Sequence, residues 1–403
     1  MTNLYEIPAF KITQPLGTFY VFKMKANELY SISYSARAKY KKSGFLNNVF
    51  SPITGTQRPL EDGRDKEIAQ YVNSVECAIP NSIVIGANIS EQGGLVNNNE
   101  RWRVEEDASG ACTLIIPTDK KLASIIDGQH RLAGCIKSER KDLELLCVVY
   151  LDLPTPYQAY LFASINANQK KVSRSLAYEL YGFGTENEDR ITWSPEKLCV
   201  SIVRNLNFSN DSKIKHKIIL GAQAFEDKKG YLSLAALVES ILRLITSNPK
   251  KDRDIILHYR NEKGRESLGG NTKLPLRVMY INGEDKNIEK IIFDFINFIF
   301  NDDHYDEKSY LYKTVGVQSL FTLLKRYLSN KKGEFDINDF KLFCQPIWNV
   351  DFSNDYFTAS GIGKSRILNT LLVSTGLLDV EKVRNKNDGK KIKKLLISYY
   401  DIK

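Results

Sequence analysis

Over roughly its first 185 residues the chain alternates short apolar runs with stretches of helical spacing. Phe19, Val21 and Phe22 stand among β-formers after the turn Pro15 to Gly17, so Gln14 to Met24 predicts a strand. Leu29, Ile32 and Ser33 at helical spacing predict a helix behind it. A second helix is expected from Arg64 to Val75, burying Ile68, Tyr71, Val72 and Val75, and it ends at Pro80-Asn81. Ser82 to Ala87 is almost purely apolar, the pattern of a buried strand, whereas Glu91 to Ser109 is polar and turn-rich and predicts a loop or loose hairpin.

Two further apolar strands, Thr113 to Pro117 and Leu122 to Ile126, flank the turn Thr118 to Lys121. A helix then runs from Gln129 to Glu139, a buried strand from Leu145 to Leu151, and a helix from Thr155 to Ile165 opened by a Thr cap and Pro156. Ser173 caps one more helix through Tyr181. Beyond about residue 185 the pattern becomes helical throughout. Leu234 to Ile245, Ile288 to Ile299, Leu320 to Leu328 and Ile367 to Leu372 each carry an apolar stripe at helical spacing. The expected fold class is therefore α+β: a mixed α/β domain over 1–185 and a mainly helical domain over 186–403. Candidate linkers are Gly182 to Asp189, Asp252 to Lys273 and Asn301 to Lys308.

With 403 residues, 42% hydrophobic and 26% charged, the chain can bury two cores of ordinary globular composition. Its longest apolar stretch, Ile291 to Phe300, is interrupted by Asp294 and Asn297 and falls short of the roughly 20 residues a membrane span needs. The N-terminus lacks the basic start and apolar run of a secretory signal, so a cytoplasmic location is expected. Six scattered cysteines form no Cys-x-x-Cys pair and read as free buried thiols. The net charge of +9 favours a polyanionic partner. Arg37, Lys39, Lys41 and Lys42, with Tyr34 and Tyr40 interleaved, form a basic patch suited to nucleic acid or to a solvated helix end; the tail Glu381 to Lys394 is similarly basic.

The densest chemistry lies at Asp127-Gly128-Gln129-His130-Arg131. A strand that turns through glycine straight into a helix lets backbone approach a ligand, and the first helical turn favours phosphate oxygens. Arg131 in that turn can grip two oxygens at once. The same spacing also fits a plain helix start, with Asp127 as cap, Gly128 as turn and Arg131 in solvent.

The pentapeptide resembles the signature of the DGQHR-domain proteins, which include the DndB family linked to DNA phosphorothioation and a relative linked to deazaguanine insertion into DNA. Gln57-Arg58, the helix from Arg64 to Tyr71, the segment Ile79 to Val84 and the stretch Leu161 to Lys170 resemble the same proteins. Three boxes are also similar to those that surround a bound nucleotide in the ParB/sulfiredoxin superfamily: Gln57-Arg58, Gly128 to Arg131, and Asn166, Asn168, Gln169 and Lys170. The resemblance covers about 14 to 185. It implies a ParB/sulfiredoxin-like N-terminal domain that binds a nucleoside triphosphate, ATP foremost, with magnesium on Asp127. Asp127, His130 and Arg131 would be the catalytic set of a candidate NTPase acting on phosphoanhydride bonds.

Two departures matter. Sulfiredoxins carry a catalytic cysteine where this chain has Gln129, so sulfinic-acid repair is not expected. The acidic residue of the third ParB box is missing between Asn166 and Lys170. Gly361-Ile-Gly363-Lys364-Ser365 has the tail of a P-loop, but Thr358 stands where its first glycine belongs, so it is read as a decoy. Two functions are expected to compete. One is a nucleotide-binding, possible ATP-hydrolysing accessory of a DNA-modification or defence system. The other is a DNA-binding regulator of a modification operon. Expected partners are DNA, held electrostatically, the proteins of a modification complex and a second copy of the chain.

Overall fold

A computed structural model describes residues 4–35, 39–40, 53–54, 63–90, 94–167, 173–181, 188–220, 231–301 and 306–397. The chain divides into two compact units, 1–170 and 171–403. The boundary precedes residue 185 because the helix that follows Ser173 packs on helices of the second unit.

Among the described residues of the first unit ten strands appear: β1 (Tyr5–Gln14), β2 (Gly17–Lys25), β3 (Ser33–Tyr34), β4 (Lys39–Tyr40), β5 (Ile53–Thr54), β6 (Ile83–Ala87), β7 (Arg103–Glu106), β8 (Cys112–Ile116), β9 (Ala123–Asp127) and β10 (Glu144–Leu151). Eight of them form one sheet in the order β3-β9-β6-β10-β2-β1-β8-β7, and β4 pairs with β5 apart from it. The β10/β6 and β3/β9 pairs are parallel; the other neighbours in the sheet run antiparallel.

β1 and β7 answer to no apolar run in the sequence. Pro8 interrupts β1 and offers no N–H to its ladder, yet Tyr5, Ile7 and Ala9 alternate toward the interior and pair with β8. β7 is polar because it is the sheet edge, with Arg103, Glu105 and Glu106 exposed.

The helices are α1 (Ala26–Ile32), α2 (Arg64–Asn73), α3 (Gln129–Lys137) and α4 (Thr155–Ala167). Leu29 and Ile32 from α1, Val72 from α2 and Leu132 and Cys135 from α3 close a core over Phe22, Met24, Ile83, Ile85, Cys147 and Val149. Two helical expectations are corrected here. The buried stripe of α2 is Asp65, Ala69 and Val72; Tyr71 lies off that stripe and is exposed, its hydroxyl bonding the Ala78 backbone, and Val75 is exposed because the helix ends at Asn73 with Ser74 as its C-cap. Ser33 leaves α1 and begins β3. Where α3 crosses α2, Gly134 allows a close approach: a Cβ there would stand 2.6 Å from the Cβ of Ile68. α4 meets β6 at Gly86, where a Cβ would lie 2.7 Å from the buried Gln158 carboxamide.

The second unit holds α5 (Arg174–Tyr181), α6 (Pro195–Phe208), a parallel pair β11 (Ile218–Ile219) and β12 (Leu232–Ser233), α7 (Leu234–Ile245), α8 (Pro249–His258), α9 (Arg277–Ile281), α10 (Asp285–Ile299), α11 (Thr314–Asn330), α12 (Ile337–Cys344), α13 (Gly361–Ser374) and α14 (Lys386–Ile397). Its core is a single apolar cluster in which Phe295, Phe321, Tyr327 and Phe340 meet edge to face. The α+β class expected from the sequence is what the structure shows.

The stretch Asp252 to Lys273 is not a linker. It contains most of α8 and two buried ion-pair partners: Arg265 bonds Asp285 at 2.5 Å, and Asp252 receives the guanidinium of Arg277. Gly361 to Ser365 is a helix start, as its reading as a decoy anticipates. Ser360 Oγ accepts the Gly363 N–H at 3.2 Å, and no side chain fits at Gly363, which abuts the Thr358 backbone.

Candidate functional site at the end of β9

β9 delivers Asp127 to the rim of the sheet, opposite Val84 at the start of β6. Gly128 follows with φ 98°, a left-handed conformation that a side chain strains, and a Cβ there would sit 2.6 Å from Ile83 Cδ1. Glycine is therefore required twice, by its dihedral and by the closeness of β6. Gly128, not Asp127, is the N-cap residue of α3, and as a glycine it brings no side-chain cap.

Asp127 instead faces Arg131, one turn along: Arg131 Nη2 donates to Asp127 Oδ2 at 2.5 Å, and both side chains are largely buried. Arg131 Nη1 donates to the carbonyls of Asn81 at 2.7 Å and Ser82 at 2.9 Å. One guanidinium thus ties the end of β9, the first turn of α3 and the entry to β6. Gln129 is buried and its Oε1 accepts the Ser35 hydroxyl at 2.7 Å, joining α3 to the end of β3. His130 is half-buried.

Of the other expected box residues, Asn166 lies in the last turn of α4, exposed, with Nδ2 donating to its own helix at Phe162 O, 2.8 Å away. Gln57, Arg58, Asn168, Gln169 and Lys170 lie outside the described residues, as do Arg37, Lys41, Lys42 and the side chains of Lys39 and Tyr40. Elements next to those boxes pack on the elements that carry the pentapeptide, α2 on α3 and α4 against β9.

A magnesium–nucleotide complex needs a carboxylate that is free to meet the metal. Asp127 is engaged by Arg131, and among the described residues no three His, Cys, Asp or Glu side chains gather into a metal site. This arrangement does not fit a magnesium ion while that ion pair is closed.

A second polar constellation, absent from the expectations, stands beyond the C-terminal ends of the parallel strands β6 and β10. Asn88 (φ 76°) donates to Asp152 Oδ1 at 3.0 Å, and Asp152 itself has φ 59°. A polar residue closing an apolar run, of a type that tolerates positive φ, was its only sequence signal.

A family model, DndB, described as DNA-sulfur modification-associated, matches residues 7–192. The first half of the chain is thus DndB-like. No curated protein and no solved structure matches it. No helix among the described residues is long and apolar enough to cross a membrane.

Proposed function

We propose that the chain is an accessory protein of a DNA-sulfur modification system, with DNA and the proteins of that system as its partners. The family match over 7–192 supports the pathway, and the net charge of +9 supports a polyanionic partner. In this reading the pentapeptide is a structural clasp whose state can report a ligand, and the protein acts as a DNA-binding regulator or adaptor. The observation that carries it is the engagement of Arg131, which spends both terminal nitrogens on Asp127 and on the carbonyls of Asn81 and Ser82. An arginine held this way orders backbone before it serves phosphate.

A second reading keeps the nucleotide. It is favoured by the left-handed turn at Gly128 that leads straight into α3, a backbone arrangement suited to phosphate oxygens. Here a nucleoside triphosphate, ATP foremost, would compete with Asp127 for Arg131 and free the carboxylate for magnesium. Gln57, Arg58, Gly128, Gln129, Asn166, Asn168, Gln169 and Lys170 would line the site, and His130 would stand by for proton transfer.

Titration calorimetry with ATP, GTP and CTP in magnesium, beside anisotropy with labelled duplex DNA over a salt series, tests both. Salt-sensitive DNA binding without nucleotide uptake is the expected result. Nucleotide binding that is lost in Asp127→Asn would replace it with the second reading. Light scattering in the same buffers reports whether a second copy is a partner.

A further inference from the structure

In the second unit α11 packs against both α7 and α13. Gln318, Thr322 and Lys325 fall at i, i+4 and i+7 of α11 and so share one face of it. Lys364 reaches that face from α13: its Nζ donates to Gln318 Oε1 at 2.7 Å, and its carbonyl accepts the Ser319 hydroxyl at 3.2 Å. Arg243, on α7, acts electrostatically on both lysines. Neither Arg243 nor Lys325 has an ion-pair partner among the described residues. The carboxylate that acts on Lys364 is Glu239, and Arg174 already engages it at 3.0 Å.

We propose that Arg243, Lys325 and Lys364 form a binding groove over α11 for phosphate oxygens. Side chains from three packed helices bring like charges to one place with a single neighbouring carboxylate, itself taken. Arg243 is exposed and both lysines are half-buried, so solvent screens part of the repulsion and an anion that bridges the three relieves the rest. Both lysines are half-buried rather than extended into solvent, and Gln318 fixes the direction of one of them. Their ammonium groups are held below the usual lysine range by burial first and by Arg243 second, the electrostatic state that a bound anion relieves. The shared ligand chemistry is a cluster of phosphate oxygens, from a nucleic-acid backbone or from a free nucleotide. The inference does not depend on any ligand at the β9 end.

The full chain and the double variant Arg243→Gln/Lys325→Met, which keeps the aliphatic bulk, are titrated with inorganic pyrophosphate, ATP and a labelled mixed-sequence duplex. Binding of the responsive probe should weaken on the order of tenfold in the double variant. Its melting temperature without ligand should be equal to or above that of the parent, since a repulsion has been removed. Loss confined to the duplex assigns the groove to a nucleic-acid backbone; loss confined to ATP and pyrophosphate assigns it to a nucleotide. Unchanged binding of all three probes, or no binding by the parent, overturns the groove. Asp127→Asn run alongside should keep groove binding.

Discussion

The side chain of Asn88 grips the backbone of Trp102 from both directions: Nδ2 donates to the Trp102 carbonyl and Oδ1 accepts the Trp102 N–H, each at 2.8 Å. Both residues are buried, and Asn88 also reaches Asp152. Asn88→Asp keeps the acceptor but loses both donations and sets two carboxylates side by side. It should cost about 2–4 kcal/mol. Denaturant unfolding of the variant checks this, and a midpoint shift equivalent to under half a kilocalorie would show the grip to be dispensable.

Gly128 should tolerate no side chain. Alanine there meets both a positive φ and Ile83, so Gly128→Ala is expected to destabilise by about 1–3 kcal/mol. The double variant Gly128→Ala/Ile83→Val should recover part of the loss by removing the Cδ1 contact. No recovery would place the whole cost in the dihedral.

The clasp at Arg131 gives a graded expectation. Arg131→Ala leaves the Asn81 and Ser82 carbonyls and the Asp127 carboxylate without their donor and should lose about 2–3 kcal/mol. Asp127→Asn keeps an acceptor in place and should lose about 1 kcal/mol. Thermal melts of both variants decide between the clasp and a purely ligand-directed pair, which would leave both melts unmoved.

Acid should act on the α2–α3 junction, where the Lys137 ammonium bonds Asp65 and holds its carboxyl below the ordinary value of 3.8. A carboxyl whose folded pKa is depressed contributes stability that is fully present above the unfolded pKa and is lost as pH falls through the folded one. The contribution of Asp65 therefore declines below about pH 4. Asp65→Asn should flatten the fall in melting temperature in that range, and an unchanged acid slope would assign the loss to other carboxylates.

Thiol chemistry should be confined to one position. Cys77 is half-buried, whereas Cys112, Cys135, Cys147, Cys199 and Cys344 are buried. Burial pushes Cys135 up to about 11 and Cys147 up to about 12, and raises Cys77 less. A thiol reagent at neutral pH should label Cys77 slowly and first, and mass spectrometry of the labelled peptides checks the order.

The sequence by itself determined the elements whose side chains are sorted by local period. The apolar runs at β6, β8, β9 and β10 and the striped helices α7, α10, α11 and α13 were legible, because each buries a face that its own spacing defines. The pentapeptide was legible as a strand–glycine–helix junction for the same reason. Only the tertiary structure decided what the junction holds. Arg131 could not be seen to reach Asn81 and Ser82, about 50 residues earlier in the chain, because the antiparallel pairing of β9 with β6 brings them together and no local pattern encodes a strand neighbour. The same limit hid β7, a polar edge whose only reason to be extended is β8, and β1, where Pro8 masks the alternation. It also hid the cations over α11, since Arg243, Lys325 and Lys364 are scattered along the chain and meet only because hydrophobic packing sets three helices side by side.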